Sequence, residues 1–473
     1  MKRVLFGALE ALAVLSLSLG GLFPSCRAAG AAQNTDRAGE SLTVEQAVAL
    51  ALERNRDVLK AREQVEALKG KIREVKSQAL PNVKVEATGL RFRDPSFLNS
   101  TAFDKIPADF RDALLVQGAN LFDYALTFSQ PLYTSGKVGT AVRLSRLELE
   151  GVGNDQDRVE QEVTLEVVRT FYDLLLAGEK VGVARETVTQ REKHLEVVRS
   201  RFAAGDATEV DVLRSEVNVA NAQPELIRAE NAVRQARAAL NHLLVRDPNA
   251  PLEARGRLDY QAWRESDLEA LSREALRRRP EISRLRILDR EAELQERLAQ
   301  AESRMRLDLK GRYGISARMP ENLWNSSFTR WSFSFEFGLP VFDGGRRSGL
   351  ITQAVASRHV ARLSLDQQES FVRLQVRQAL DEIRRAEKTV EATQLNVRQA
   401  ERVLAMMQDN YRYGAATTLD VVDAQMALSL ARTNLLQGLY DHVIGAARLR
   451  WVMGRPVLPG TISGKQQAEG SKQ

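Results

Sequence analysis

Groups able to carry out chemistry are sparse in this 473-residue chain. Its four histidines, His194, His242, His359 and His442, lack the spacing of metal ligands. A single cysteine, Cys26, excludes an internal disulfide and a cysteine-based metal site. There is no G-x-S-x-G, no H-E-x-x-H and no glycine-rich phosphate loop followed by lysine. An enzyme is therefore not expected, nor a cofactor or bound metal. What remains is electrostatic. Asp211 and Asp420 each follow a threonine, Thr208 and Thr417, by three positions, and Asp423 lies one helical turn past Asp420. Thr-x-x-Asp is a capping-box arrangement, in which the carboxylate is stabilised by free backbone N–H groups and the helix dipole. Asp423 lies past the cap position. Cys26 has two readings: an acylation site of the bacterial lipoprotein kind, though Phe23-Pro24-Ser25 before it fit that pattern poorly, or a residue discarded with a leader peptide.

The leader is legible in Met1-Lys2-Arg3, an apolar run centred on residues 11–22, and a small-residue cluster at 28–32. That pattern predicts a secretory signal over residues 1–31, interrupted oddly by Glu10. No other stretch approaches the roughly 18 apolar residues a membrane helix needs. The 68 Lys and Arg nearly cancel the 62 Asp and Glu, and the two signs alternate along helical segments. Without a basic stripe interleaved with aromatics, no nucleic-acid partner is expected.

The residues after the leader form two copies of one unit. QPLYTSGK at 130–137 returns as LPVFDGGR at 339–346, and RFAAGDATEVDVL at 201–213 returns as NYRYGAATTLDVV at 410–422. Pro131 maps to Pro340, Gly136 to Gly345, Gly205 to Gly414, Thr208 to Thr417 and Asp211 to Asp420, always at the same offset. The copies run over 42–248 and 266–455, with a proline-containing connector between them and a polar tail, 456–473, expected to be disordered. The first copy carries a longer loop between about 90 and 120.

Each copy reads helix, strand, loop, strand, long helix, sharp turn, long helix. The strands alternate with period two: Trp331, Phe333, Phe335, Phe337 and Leu339 against Ser332, Ser334, Glu336 and Gly338; Leu307, Leu309, Tyr313 and Ile315 against Asp308, Lys310, Arg312 and Ser316; Phe122, Tyr124, Leu126 and Phe128 against Asp123, Thr127 and Ser129. Val83, Val85 and Ala87 alternate less clearly with Lys84, Glu86 and Thr88. Aromatic-rich apolar faces opposite fully charged ones match strands of an outer-membrane barrel, apolar to lipid and polar to a wet lumen. Trp324 and Trp331 are candidates for an interfacial aromatic girdle or for interior packing. Four strands cannot close a barrel, and open edges are not tolerated in lipid, so several chains must pool them: two give eight strands, three give twelve. The first long helix carries Val159, Val163, Val167, Phe171, Leu174, Val181, Val188, Leu195, Val198 and Phe202; the second repeats every seven residues through Val376, Ile383, Val390, Val397 and Leu404, with Met407 and Tyr411 continuing the stripe. About 65 residues at 1.5 Å each extend roughly 100 Å. Pro224 is expected to kink or interrupt the first returning helix.

Together the duplication, the strand ends QPLYTSGK and LPVFDGGR, and the turn phrases GDATEVDVL and GAATTLDVVDAQ resemble the TolC-type outer membrane efflux proteins. The resemblance implies a mainly α fold with a β-barrel part: a homotrimer pooling four strands per chain into a 12-stranded barrel in the outer membrane of a Gram-negative-type bacterium, continued by a long α-helical barrel in the periplasm. It implies an exit duct working with a periplasmic adaptor and an inner-membrane pump of the RND or ABC type. It further implies that Asp420 and Asp423 ring the constriction at the helix turns, six carboxylates favouring cations in a trimer, and that Tyr411 and Asp211 belong to a latch. The latch arginine of the family falls on Ala416, leaving Arg412 as the nearby candidate substitute. Type I polypeptide secretion is the alternative cargo class. A non-channel periplasmic coiled coil would account for the helices but not the strands.

Overall fold

The structure, a computed structural model, describes residues 40–92, 107 and 119–458. The leader, Cys26, most of the long loop of the first copy and the tail beyond Leu458 lie outside the described residues. The chain runs β1 (Glu40–Leu42), α1 (Val44–Arg54), α2 (Arg56–Ser77), β2 (Asn82–Phe92), β3 (Ala119–Tyr133), α3 (Lys137–Ala203) and α4 (Glu209–Leu243). It continues through β4 (Leu252–Ala254), α5 (Leu268–Arg278), α6 (Pro280–Ala301), β5 (Arg306–Ala317), β6 (Thr329–Gly338), α7 (Arg346–Arg412) and α8 (Thr418–Val452).

The two long helices, α3 and α7, are 67 residues each, and the returning α4 and α8 are 35 each. The sevenfold stripe of α7 is buried at Val376, Ile383, Val390, Leu404 and Tyr411. In α3, Val167, Phe171, Leu174, Val188, Leu195 and Val198 are buried, but Phe202 at the far end stays 47% exposed. Three apolar clusters result. Two lie at the waist: one joins α1 to Val167, Val168 and Phe171 of α3 and Leu240 of α4; the other joins α5 to Val372, Val376 and Ile383 of α7 and Leu449 of α8. The third binds Val198 to Leu404, Tyr411, Val421 and Leu428 at the helix turns. Ile383→Ala is expected to cost about 3 kcal/mol of stability in urea unfolding, while Phe202→Ala costs less than about 0.5 kcal/mol.

Sequence expectations are revised at four places. The entry helix of each copy is two helices: Asn55 stops α1 and caps α2 through its side chain, accepting the Asp57 N–H at 2.9 Å, and Pro280 opens α6 as its first residue. Pro224 does not interrupt α4; it sits on an exposed side of the helix, where solvent can satisfy the freed carbonyl. The tail begins later than expected, because Val457 and Leu458 are buried in the first waist cluster. A two-stranded ribbon, β1 with β4, joins the start of the first copy to its end, with Arg255 N–H donating to Leu42 O at 2.8 Å. The connector after it straps the second waist: Trp263 N–H donates to Glu387 Oε1 at 2.7 Å, and Arg455 forks onto Glu265 and Glu274.

The other sheet is four antiparallel strands in the order β2-β3-β5-β6. Its register sets Val85 beside Leu126, Leu126 beside Tyr313 and Tyr313 beside Trp331, so one apolar face crosses all four strands. That face is bare: Val85, Tyr313, Trp331, Phe333, Phe335 and Phe337 are all exposed. Trp324, in the turn between β5 and β6, is 85% exposed and Trp331 73%, so neither packs inside the chain. The opposite face is charged and internally paired. Arg312 meets both Asp123 and Glu86, and Lys310 meets Glu336; Glu86, Lys310 and Arg312 line a trough of about 650 Å³. Among the described residues, β2 and β6 are left with unpaired edges.

Candidate functional site

The helix turns farthest from the sheet bring the candidate residues together. α3 and α7 end in the same way: Gly205 (φ 85°) and Gly414 (φ 75°) adopt the left-handed conformation, and the next residue's N–H returns to the carbonyls of Arg201 and Asn410. Three residues after each glycine a threonine opens the returning helix. Thr208 and Thr417 are side-chain caps of α4 and α8, and Asp211 and Asp420 complete both capping boxes. Asp420 Oδ2 accepts the Thr417 N–H at 2.8 Å and its hydroxyl at 2.7 Å; Asp211 Oδ2 accepts those of Thr208 at 3.1 and 2.7 Å. The threonine hydroxyl, then the backbone N–H, holds each carboxyl below the usual aspartate range, so both are anionic at neutral pH. Capping does not withdraw Asp420 from solvent, where it remains exposed. Asp423 is exposed on the same helix and engages no hydrogen bond or ion pair among the described residues.

Tyr411 is buried at the clasp between the two halves. The Thr418 hydroxyl hydrogen-bonds its Oη at 3.3 Å, and the Thr418 side chain also helps to lower the Asp211 carboxyl. Tyr411 and Asp211, paired by resemblance, share no direct hydrogen bond among the described residues; Thr418 stands beside both. Arg412 does not take the place of the arginine missing at Ala416: it points outward and pairs with Asp409 on its own helix at 3.2 Å. The cation at Tyr411 is Arg201 of α3. Its Nη1 donates to Tyr411 O, and its guanidinium lies 4.7 Å from the ring centroid. His194, also on α3, packs its ring 5.2 Å from that of Tyr411. Sequence reasoning missed Arg201, His194 and Thr418. Arg201 carries one signal: the internal repeat places Asn410 opposite it, so the arginine belongs to one copy only.

Burial lowers the His194 pKa below the ordinary histidine value, and its Nε2 has no hydrogen-bond partner among the described residues. An imidazole kept neutral when folded binds its proton more readily when unfolded. The clasp therefore carries no penalty above about pH 6.5 and loses stability as pH falls below that value toward the depressed pKa. Hydrogen exchange around Tyr411 is expected to quicken between pH 7 and 5 after correction for intrinsic rates, and His194→Phe should flatten the change.

No group of residues suited to holding a metal ion occurs among the described residues, and no described helix is long and apolar enough to cross a membrane. The family model for outer membrane efflux proteins matches residues 47–245 and 271–455. The alkaline protease secretion protein AprF of Pseudomonas aeruginosa is 25% identical over 304 residues, 62% of this chain and 62% of AprF's own length, under two thirds of it. The outer membrane protein OprJ of the same organism is 24% identical over 421 residues, 86% of this chain and 83% of OprJ. Among solved structures, the Campylobacter jejuni CmeC outer membrane channel superposes with a TM-score of 0.73 at 17% identity, covering 91% of this chain and 89% of that one.

Proposed function

This chain belongs to the outer membrane efflux protein family, and from that premise we propose that it is the outer-membrane exit duct of a tripartite efflux or secretion system. Three copies join their four-stranded sheets into a 12-stranded barrel, apolar face to lipid and charged face to the lumen. Their helices continue the passage into the periplasm, to a mouth ringed by Asp420 and Asp423 and clasped at Tyr411. An inner-membrane pump and a periplasmic adaptor dock at that far end. The observation that carries this reading is the sheet, with an exposed aromatic face, an ion-paired opposite face and two open edges. Such a sheet is stable in lipid only when closed by other copies. A single chain used as a periplasmic coiled coil would leave that aromatic face in water. The mass of the complex extracted from outer membranes in mild detergent tests the stoichiometry: three chains are expected, and two or one would contradict the proposal. On cargo, AprF is named for protease secretion, which favours polypeptide export as the second reading.

A further inference from the structure

A groove between α3 and α6, close under the sheet, is lined by Arg143, Arg146, Arg290 and Arg297 with Glu150 and Glu293. All four arginines are exposed. Glu293 is already held by Arg297 at 2.7 Å and by Arg358 at 3.3 Å. Arg143 reaches only the Thr140 hydroxyl, at 3.1 Å, and Arg146 and Arg290 engage no partner among the described residues. Glu150 is thus the one carboxylate left against three guanidiniums. On α6, by contrast, Arg284 pairs with Asp155 and Glu291, and Arg286 with Glu369. Like charges crowded into one groove repel unless an anion joins them, and planar guanidiniums suit phosphate oxygens best.

The groove's height identifies the anion. At 1.5 Å per residue, Arg143 and Arg146 lie about 9 and 14 Å from the start of α3, and Arg297 and Arg290 about 6 and 17 Å from the end of α6. Leu339, Val341 and Phe342 are 53%, 94% and 91% exposed where β6 passes toward α7, an apolar collar at the same end of the sheet. Side chains on a helix lean toward its N-terminus, which for α3 is the end at the sheet. The long side chains of Arg143 and Arg146 can so reach the headgroup layer, which extends about 5–7 Å beyond the hydrocarbon; α6 meets the sheet with its C-terminus, so its arginines lean the other way and Arg290 stays deeper in the groove. Leu147 and Leu294, between the arginines, offer the groove apolar surface.

We propose that this groove is a binding site for the phosphodiester headgroup of an anionic phospholipid in the periplasmic leaflet of the outer membrane. The proposal rests on the membrane-spanning reading of the sheet. The lipid neutralises the arginines and fixes the junction between barrel and helices at a set depth.

The test compares wild type with Arg143→Gln/Arg146→Gln, both extracted in mild detergent, by counting bound phosphatidylglycerol and cardiolipin in native mass spectra. Planar bilayers of phosphatidylcholine report conductance in parallel. Wild type is expected to retain anionic lipid, and the variant to retain it roughly 25-fold more weakly, as follows from about a factor of five per guanidinium near a membrane surface. Oligomer mass and conductance should be unchanged. Equal retention by both proteins overturns the site, as does retention of phosphatidylcholine alone. Inorganic phosphate binding wild type as tightly as the lipid assigns the groove to a soluble anion, which also overturns the proposal. If the double variant fails to assemble, Arg143→Gln and Arg146→Gln singly should each retain about fivefold less. A wild type that binds lipid yet never inserts in a bilayer contradicts the duct reading instead.

Discussion

A chain carrying Phe333→Arg is expected to disappear from the outer membrane, whereas Ser316→Arg, on the opposite face of the same sheet, should assemble normally. Phe333 lies in the middle of the ten-residue β6 and is 59% exposed, on the face that carries Trp331, Phe335 and Phe337. An arginine facing lipid at mid-depth costs about 2–4 kcal/mol. Three copies in one barrel raise this to roughly 6–12 kcal/mol, comparable to the whole stability of an ordinary domain. Ser316 lies directly across from Asp123 on the charged face, so an arginine there meets water and a carboxylate. Quantitative immunoblotting of outer-membrane fractions reads both variants. Equal assembly of the two would mean that the aromatic face does not contact lipid, and the sheet would have to be reassigned.

Arg201→Ala is expected to raise the resting conductance about tenfold or more. Arg201 bridges α3 to the backbone of α7 at Tyr411, through a charge-assisted hydrogen bond and a ring contact. Such a bond is worth about 1.5–3 kcal/mol and the ring contact about 0.5–1 kcal/mol. Each 1.4 kcal/mol is a factor of ten in the population of an opened mouth, and three clasps act on one mouth. Solvent exposure at the end of α3 takes back part of this, hence the lower figure. Arg412→Ala serves as the contrast: its only partner is the exposed Asp409 on the same helix, so conductance should not change. If Arg412→Ala opened the mouth and Arg201→Ala did not, the latch would follow the sequence expectation rather than the clasp described here.

The two outcomes reflect what kinds of information a sequence carries. Period-two alternation in β5 and β6 and the sevenfold stripe of α7 are local, and both survive unchanged into the structure because register and helical phase decide which face each residue takes. The capping boxes at Thr208 and Thr417 are local too. Arg201 is not: its target lies 210 positions away, and the repeat that reveals the fold sets Asn410 opposite it, hiding an asymmetric contact. Arg412 looked suitable because it neighbours Tyr411 in sequence, but consecutive helical residues point about 100° apart, so burying Tyr411 turns Arg412 to solvent. Phe202 fits the apolar stripe of α3 yet stays exposed, because the helix ends one residue later. Asn55 reads as an ordinary helix-interior residue until its side chain is seen capping α2.

The central claim is a gated, acid-mouthed duct through the outer membrane. Single-channel recording in planar bilayers tests it most directly, with wild type beside Asp420→Ala/Asp423→Ala. The account predicts a small, cation-selective conductance for wild type and a clear loss of selectivity in the double variant, since six carboxylates would leave the mouth of a trimer. Asp420→Ala also removes half of a capping box, at about 1 kcal/mol per helix, so Asp420→Asn and Asp423→Ala singly separate the charge from the cap. Wild-type selectivity that persists in the double variant would reduce Asp420 to a helix cap and place the constriction elsewhere. No insertion by soundly assembled wild-type protein would contradict the duct itself.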